Sequence, residues 1–271
     1  MRFRYRRTPT SPSGTPILER PSSSLRPTPP GPSGNVDAYD NYLTDYYEAK
    51  LKPSAGYTDF RFAKFRQNYL TALGRHPNGS LLEVGPGMGE FMLFAEREAG
   101  VGPVQGVDYA PDCAAHCQSL GLDVQHIDDL RDWLASRQSV FSTIVMLHVL
   151  EHIPKGETVA TLAVIREALV PGGTLIVEVP NAGNPWLSGV ALYEDFTHEV
   201  GFTSGSLRTV MTRAGFAHVV VAGVKVPWRS RYAPVRAANE LGNTLTRAMT
   251  RLSAPRADHL LDAQIYAVAS T

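Results

Sequence analysis

The sequence predicts an α/β fold, a doubly wound and mostly parallel sheet with helices on both faces. Three observations carry this reading. From residue 80 onward, short apolar runs alternate with stretches of helical period, a rhythm that buries a parallel sheet under helices. The first of these runs passes through three closely spaced glycines straight into a helix, the connection open α/β sheets use at their carboxyl edge. Finally, 271 residues with 43% hydrophobic and 19% charged side chains are enough to bury a real core.

The first 36 residues differ from the rest. They hold eight of the 20 prolines, six serines and six arginines against one acid, Glu19. So little apolar side chain cannot offset the entropy of ordering, so residues 1–36 are expected to form a disordered basic tail. It reads first as a solvated leader with no specific partner; a nucleic acid, an acidic lipid or an acidic protein would each suit the charge, and the partner is left open. Residues 37–79 read as a helical cap. Tyr39, Tyr42, Leu43, Tyr46 and Tyr47 make one helical stripe, and Phe62, Phe65, Tyr69, Leu70 and Leu73 make another. KPSAG at 52–56 separates them as a turn, and most of these aromatics are expected in the core.

The main domain is expected over 80–271. SLLEV (80–84), PVQGVD (103–108), LDVQHI (122–127), STIVMLHV (142–149) and TLIVEV (174–179) are its first five strands. GEFMLFAEREAG (89–100) is the helix after the glycines. Val159, Leu162, Ala163 and Leu169 keep helical period, with PGG at 171–173 ending that helix. Residues 181–203 read as a polar insertion that covers the substrate. Ser204 is expected to cap a helix carrying Leu207, Val210, Met211 and Ala214. FAHVVVAGV (216–224) and AQIYAVAS (263–270) complete the strands, with a helical insertion at 225–262 that places a helix over 234–252.

Twenty-six basic residues balance 26 acidic ones, which argues against a surface that coats nucleic acid. Since the tail is basic, the body is mildly acidic. Two cysteines, Cys113 and Cys117, suit a reducing compartment, and no apolar run nears the roughly 20 residues of a membrane span. The basic start, Met1 to Arg7, is followed by TPTSPSGTP rather than an apolar stretch, so no secretory leader is read there. A cytoplasmic location is expected.

The richest segment is LLEVGPGMGEF (81–91). Glycines let the backbone turn tightly and approach a ligand, and the following helix offers free N–H groups. Asp108, at the end of the next strand, is placed to accept both hydroxyls of a ribose. The spacing G-x-G-x-G puts Glu90 where a dinucleotide fingerprint needs its third glycine. Glu83, two residues before the first glycine, would repel a pyrophosphate and welcome a cation.

Four signatures occur in order: E-V-G-P-G-M-G (83–89), G-V-D (106–108), L-H-V-L-E-H-I-P (147–154) and L-V-P-G-G-T-L-I-V-E-V-P-N (169–181). Together they resemble the class I S-adenosylmethionine-dependent methyltransferases over roughly residues 80–224. The resemblance implies a Rossmann-like sheet of seven strands with the last antiparallel, and S-adenosylmethionine as cofactor. It implies that Gly85, Gly87 and Gly89 pass close to the cofactor and that Glu83 helps hold its methionine part. Asp108 would take the ribose, Asp128 or Asp129 would lie near the adenine amino group, and His148 would face the sulfonium. Asp128 and Asp129 also suit the cap of a helix starting near Leu130.

Methyl transfer is an in-line displacement that gains from a base near neutral pKa when the acceptor is a hydroxyl. In the segment 181–198, Asp195 and His198 lie three apart, so the carboxylate is expected to orient the imidazole, with His198 as base. Trp186 and Tyr193 are candidates to stack on the substrate. D-F-T-H with G-F-T-S-G-S-L-R-T-V-M-T-R-A-G-F (195–216) is similar to a branch of methyltransferases found in polysaccharide and glycoside pathways. The expected reaction is methylation of a hydroxyl on a sugar or sugar-bearing intermediate. A non-sugar metabolite, methylated at carbon, nitrogen or oxygen, is the alternative within enzymes, and a cofactor-binding accessory protein the alternative outside them. The partner is thus a small molecule or glycan; the folded part lacks a basic stripe for nucleic acid. His148 to His152 fits H-x-x-E-H, a zinc peptidase pattern, but the first His ends a strand and Pro154 follows closely, so no metal is expected there. Cys113, His116 and Cys117 read as a half-buried helix face.

Overall fold

The computed structural model describes residues 42–43, 57–227, 233–253 and 260–271. The basic tail 1–36 and most of the first expected helix, including Tyr39, Tyr46 and Tyr47, lie outside the described residues. All seven expected strands form: β1 (Leu81–Val84), β2 (Val104–Asp108), β3 (Val124–His126), β4 (Phe141–Leu147), β5 (Leu169–Pro180), β6 (His218–Gly223) and β7 (Gln264–Ser270). They join one sheet in the order β3-β2-β1-β4-β5-β7-β6. The first five pair in parallel, and β7 runs antiparallel between β5 and β6. The chain leaves β1 toward β2 on one side and reaches β4 on the other. A crevice therefore opens outside the carboxyl ends of β1 and β4, where such sheets take ligands.

Eight helices are described: α1 (Tyr57–Leu73), α2 (Glu90–Phe94), α3 (Pro111–Ser119), α4 (Leu130–Ala135), α5 (Thr158–Ala168), α6 (Ser188–Tyr193), α7 (Ser204–Arg213) and α8 (Ala233–Ser253). Strand alternation sends Leu82 and Val84 to one core with Leu130, Leu162, Ile165, Leu207 and Met211. Leu81 joins the other core, where Phe65 and Tyr69 of α1 meet Phe91 and Phe94 of α2. Phe65 meets Phe91 edge-on with ring centroids 5.2 Å apart, a favoured aromatic geometry. The aromatic stripe of α1 is thus core, as its spacing implies. Among the described residues no helix is long and apolar enough to cross a membrane.

Three local expectations are corrected. The helix expected to reach Leu169 stops at Ala168, and PGG lies inside β5, because Leu169 already pairs with Phe141 of β4. The cap of α7 is Thr203 rather than Ser204. Its hydroxyl accepts from the Ser206 N–H at 3.2 Å while the Ser206 hydroxyl takes the Thr203 N–H at 2.9 Å. The helix after the glycines is α-helical only to Phe94, then continues as a π turn over Ala95–Ala99 that Gly100 ends at φ +62°.

Candidate active site

The glycine loop turns from β1 into α2 with Gly85, Gly87 and Gly89 at φ +70°, +52° and +72°. Only glycine adopts three such angles without strain. Packing adds a second reason, since a Cβ on Gly85 would stand 2.5 Å from Val149 Cγ2 and one on Gly89 2.5 Å from Leu122 Cδ1. Asp108, ending β2, holds this loop: its Oδ2 accepts from Gly87 N–H at 3.2 Å and its Oδ1 from Ala110 N–H at 2.9 Å. Each carboxylate oxygen keeps a second lone pair, enough for two ribose hydroxyls. Burial pushes the Asp108 carboxyl up to about 6, against the pull of those two N–H groups.

Glu83 lies in β1 on the face that α1 covers, 2% exposed. Its Oε2 has no hydrogen-bond partner among the described residues, and burial pushes its pKa well up. A buried carboxyl of this kind fits a cationic ligand, which would restore its charge. The crevice therefore suits a cofactor carrying both an ammonium and a ribose. Asp129 is engaged elsewhere: its Oδ1 accepts from the N–H groups of Arg131 and Asp132 at 2.7 and 3.0 Å, capping α4. Asp128 beside it is exposed. Asp129→Ala is expected to lower stability by about 1 kcal/mol, measured by denaturant unfolding.

His148 directly follows β4 in a left-handed conformation, φ +59°, which costs a non-glycine residue about 1–2 kcal/mol. A buried polar network holds it there. Its Nε2 lies 2.8 Å from Glu178 Oε1 and its Nδ1 3.2 Å from Glu151 Oε1. Glu178 of β5 also accepts from Lys64 Nζ at 2.7 Å and from the Tyr69 hydroxyl, while Lys64 reaches Gln264 Oε1 at 2.8 Å. Burial, then the Lys64 ammonium, drive the His148 imidazole toward its neutral form. Burial also lowers Lys64, opposed by Glu178.

Next to His148, a 3-10 turn at Leu150–His152 meets the loop after α6, the Glu151 carbonyl accepting from the Glu199 and Val200 N–H groups at 2.8 and 3.0 Å. Asp195 does not face the His198 ring through its described hydrogen bonds. Its Oδ1 accepts from the Thr197 N–H and hydroxyl at 2.9 and 2.6 Å, and its Oδ2 from the Tyr42 hydroxyl at 2.8 Å. The expected pairing is replaced by a local turn, and Asp195 meets His198 through its carbonyl, which accepts the His198 N–H at 3.3 Å. These hydrogen bonds hold the Asp195 carboxyl below its usual pKa, although burial alone would raise it. His198 Nδ1 sits 3.2 Å from the Leu192 carbonyl, and His152 Nδ1 2.8 Å from Thr197 Oγ1. The two imidazoles meet edge-on with centroids 4.7 Å apart.

A family profile described as a methyltransferase domain matches residues 57–221, more than half of the chain. The chain belongs to this methyltransferase family. No curated protein matches it. Among solved structures it is similar to an S-adenosylmethionine-dependent methyltransferase of Archaeoglobus fulgidus, with 21% identity and a TM-score of 0.62 over 86% of this chain and 100% of that one. It is similar to an S-adenosylmethionine-dependent methyltransferase of Thermotoga maritima at 16% identity and TM-score 0.54, over 84% of this chain and 97% of that one. It is also similar to DhpI, solved with S-adenosylhomocysteine, at 17% identity and TM-score 0.55, over 87% and 94%. These likenesses show the shared fold.

In this methyltransferase Trp186 and Tyr193 are exposed, and the Trp186 indole N–H donates to Thr246 Oγ1 at 3.2 Å, tying the 181–203 segment to α8. Cys113 and Cys117 are buried while His116 is only half-buried, as a partly covered helix face requires. Burial pushes the Cys117 thiol up to about 12, and its S–H donates to the Gly87 carbonyl at 3.2 Å. Sequence reasoning missed Lys64, Tyr69, Glu178 and Gln264, which fix His148. One signal was available: Glu178 is a lone acid in the otherwise apolar run TLIVEV.

Proposed function

We propose that this methyltransferase moves a methyl group from S-adenosylmethionine to a hydroxyl of a sugar or sugar-bearing intermediate. Bound in the crevice, the cofactor supplies an electrophilic methyl carbon. The acceptor oxygen would gain the carbon–oxygen bond as the carbon–sulfur bond broke, with the electron pair staying on sulfur and the hydroxyl proton passing to the His198 imidazole. Gly85, Gly87 and Gly89 let the backbone approach the cofactor, Glu83 takes its ammonium and Asp108 its ribose. His148 sits at the carboxyl end of β4, next to the reacting centre, and Asp128 borders the adenine side.

The observation that carries the hydroxyl reading is the pair His152 and His198. Thr197 gives its hydroxyl proton to Asp195, so it accepts from His152 Nδ1–H; the Leu192 carbonyl accepts from His198 Nδ1–H. Both rings are thereby set with their lone pair on Nε2, the form that can act on a hydroxyl. Burial lowers the His152 pKa and keeps that ring neutral. Asp195 thus acts at one remove, through Thr197. The exposed rings of Trp186 and Tyr193 suit stacking on a sugar, and the D-F-T-H segment favours the same class. Two buried free thiols suit a reducing compartment, so the reaction is assigned to the cytoplasm.

Labelled methyl transfer to a panel of nucleotide sugars, glycosides and non-sugar metabolites tests this. Transfer to a sugar hydroxyl is expected, with His198→Ala slowing turnover by about 10²-fold or more. Methylation of non-sugar metabolites alone would overturn the sugar assignment.

A further inference from the structure

We infer that Glu151, His152 and His198 hold a divalent transition-metal ion that takes the acceptor hydroxyl as a further ligand. One ligand atom from each side chain lies within 4.8 Å of the other two. His198 Nε2 stands 4.0 Å from Glu151 Oε1. Three atoms bound to one ion at about 2.1 Å sit about 3.4 Å apart, so side-chain rotation of roughly an ångström closes the set. Glu151 is 1% exposed, its Oε1 meets His148, and its Oε2 is buried without a partner among the described residues. A buried acceptor oxygen beside two imidazoles is the donor set of a cation.

The surroundings support ligation as well as the ligands do. A metal-binding imidazole usually donates its other N–H to a carbonyl or a carboxylate-linked group, which fixes the tautomer and the ring direction. His198 does so to the Leu192 carbonyl. His152 does so to Thr197, which donates in turn to Asp195. Asp195 is itself fixed by Tyr42. Two imidazoles and one carboxylate leave coordination positions open, as catalytic rather than structural sites do, and the set selects zinc, iron, cobalt or manganese over calcium. The ligands come from a 3-10 turn and a loop, not from the single helix that the H-x-x-E-H pattern requires.

The role given to the ion rests on the hydroxyl reading. A bound ion brings the pKa of ligated water down to about 7, and it would act on the acceptor hydroxyl in the same way, its proton passing to solvent. His152 and His198 would then work on the hydroxyl through the ion.

The test uses the full chain, stripped with a chelator and titrated with Co²⁺, Zn²⁺ and Mn²⁺ by calorimetry, with Co²⁺ also followed by visible absorption. One ion per chain is expected, with a cobalt spectrum of low coordination number. His152→Ala, His198→Ala and Glu151→Gln are each expected to weaken cobalt affinity at least tenfold, with circular dichroism and cofactor binding reporting whether each variant is folded. Failure of the wild-type chain to bind any of the three ions stoichiometrically overturns the site, as does binding that all three folded variants retain. Sugar methylation undiminished by the chelator overturns the metal site while the proposed function stands. Stoichiometric binding without transfer to any hydroxyl upholds the site and overturns the function.

Discussion

Glu178→Ala is expected to destabilise the fold by about 3–5 kcal/mol, the usual result of breaking a buried ion pair from one side. Lys64 is 5% exposed and Glu178 1%, so neither side chain can recover water in place. The variant leaves the Lys64 ammonium, the Tyr69 hydroxyl and the His148 ring without their shared acceptor. Denaturant unfolding would measure the loss. Removing both charges, as in Lys64→Met with Glu178→Leu, is expected to cost less than Glu178→Ala alone, because no charge then stays buried and unpaired. A double variant as unstable as the single one would show that packing, not charge, dominates there.

Asp108→Ala is expected to weaken S-adenosylmethionine binding by roughly 10²-fold, from the loss of two hydrogen bonds to a charged acceptor. Calorimetry would measure it. In the wild type the same carboxyl makes affinity depend on pH. With a pKa of about 6, Asp108 binds a proton as pH falls through that value, and only the carboxylate accepts from both ribose hydroxyls. Affinity is therefore expected to be about tenfold weaker at pH 5 than at pH 8, a dependence the alanine variant lacks. Stability runs the other way. The folded pKa lies above the unfolded value of 3.8, so this group's contribution is fully present below about pH 4 and is lost as pH rises through 6. Cofactor affinity and apo stability at this carboxyl thus change in opposite directions with pH.

The parts of the site that were legible in the sequence are the local ones. Gly85, Gly87, Gly89 and Asp108 serve short motifs in which the backbone turn and its ligand contacts come from neighbouring residues. Glu178 and its partners were hidden because Lys64 and Glu178 lie 114 residues apart and His148 and Gln264 116, distances no periodicity links. The turn at Asp195 was legible too. An acid two residues before a threonine favours a tight side-chain turn, and that local bond outcompetes a histidine one residue further on. The fold itself was readable because most strands carry an apolar run bounded by turn residues. Its sheet order was not, since no local pattern says that β7 must slip between β5 and β6.

That placement of β7 governs how the chain is made. Among the described residues the edge strand β6 pairs with β7 alone, which follows it by about 40 residues. During synthesis at roughly 5–20 residues per second, β6 and the open side of β5 wait about 2–8 s for the strand that joins them. Through that interval the nascent protein shows two unpaired strand edges, the surfaces on which chains aggregate and chaperones act. A chain cut short before Gln264 leaves the facing edges of β5 and β6 without the strand that joins them, so the seventh strand is what shields this side of the sheet from other chains.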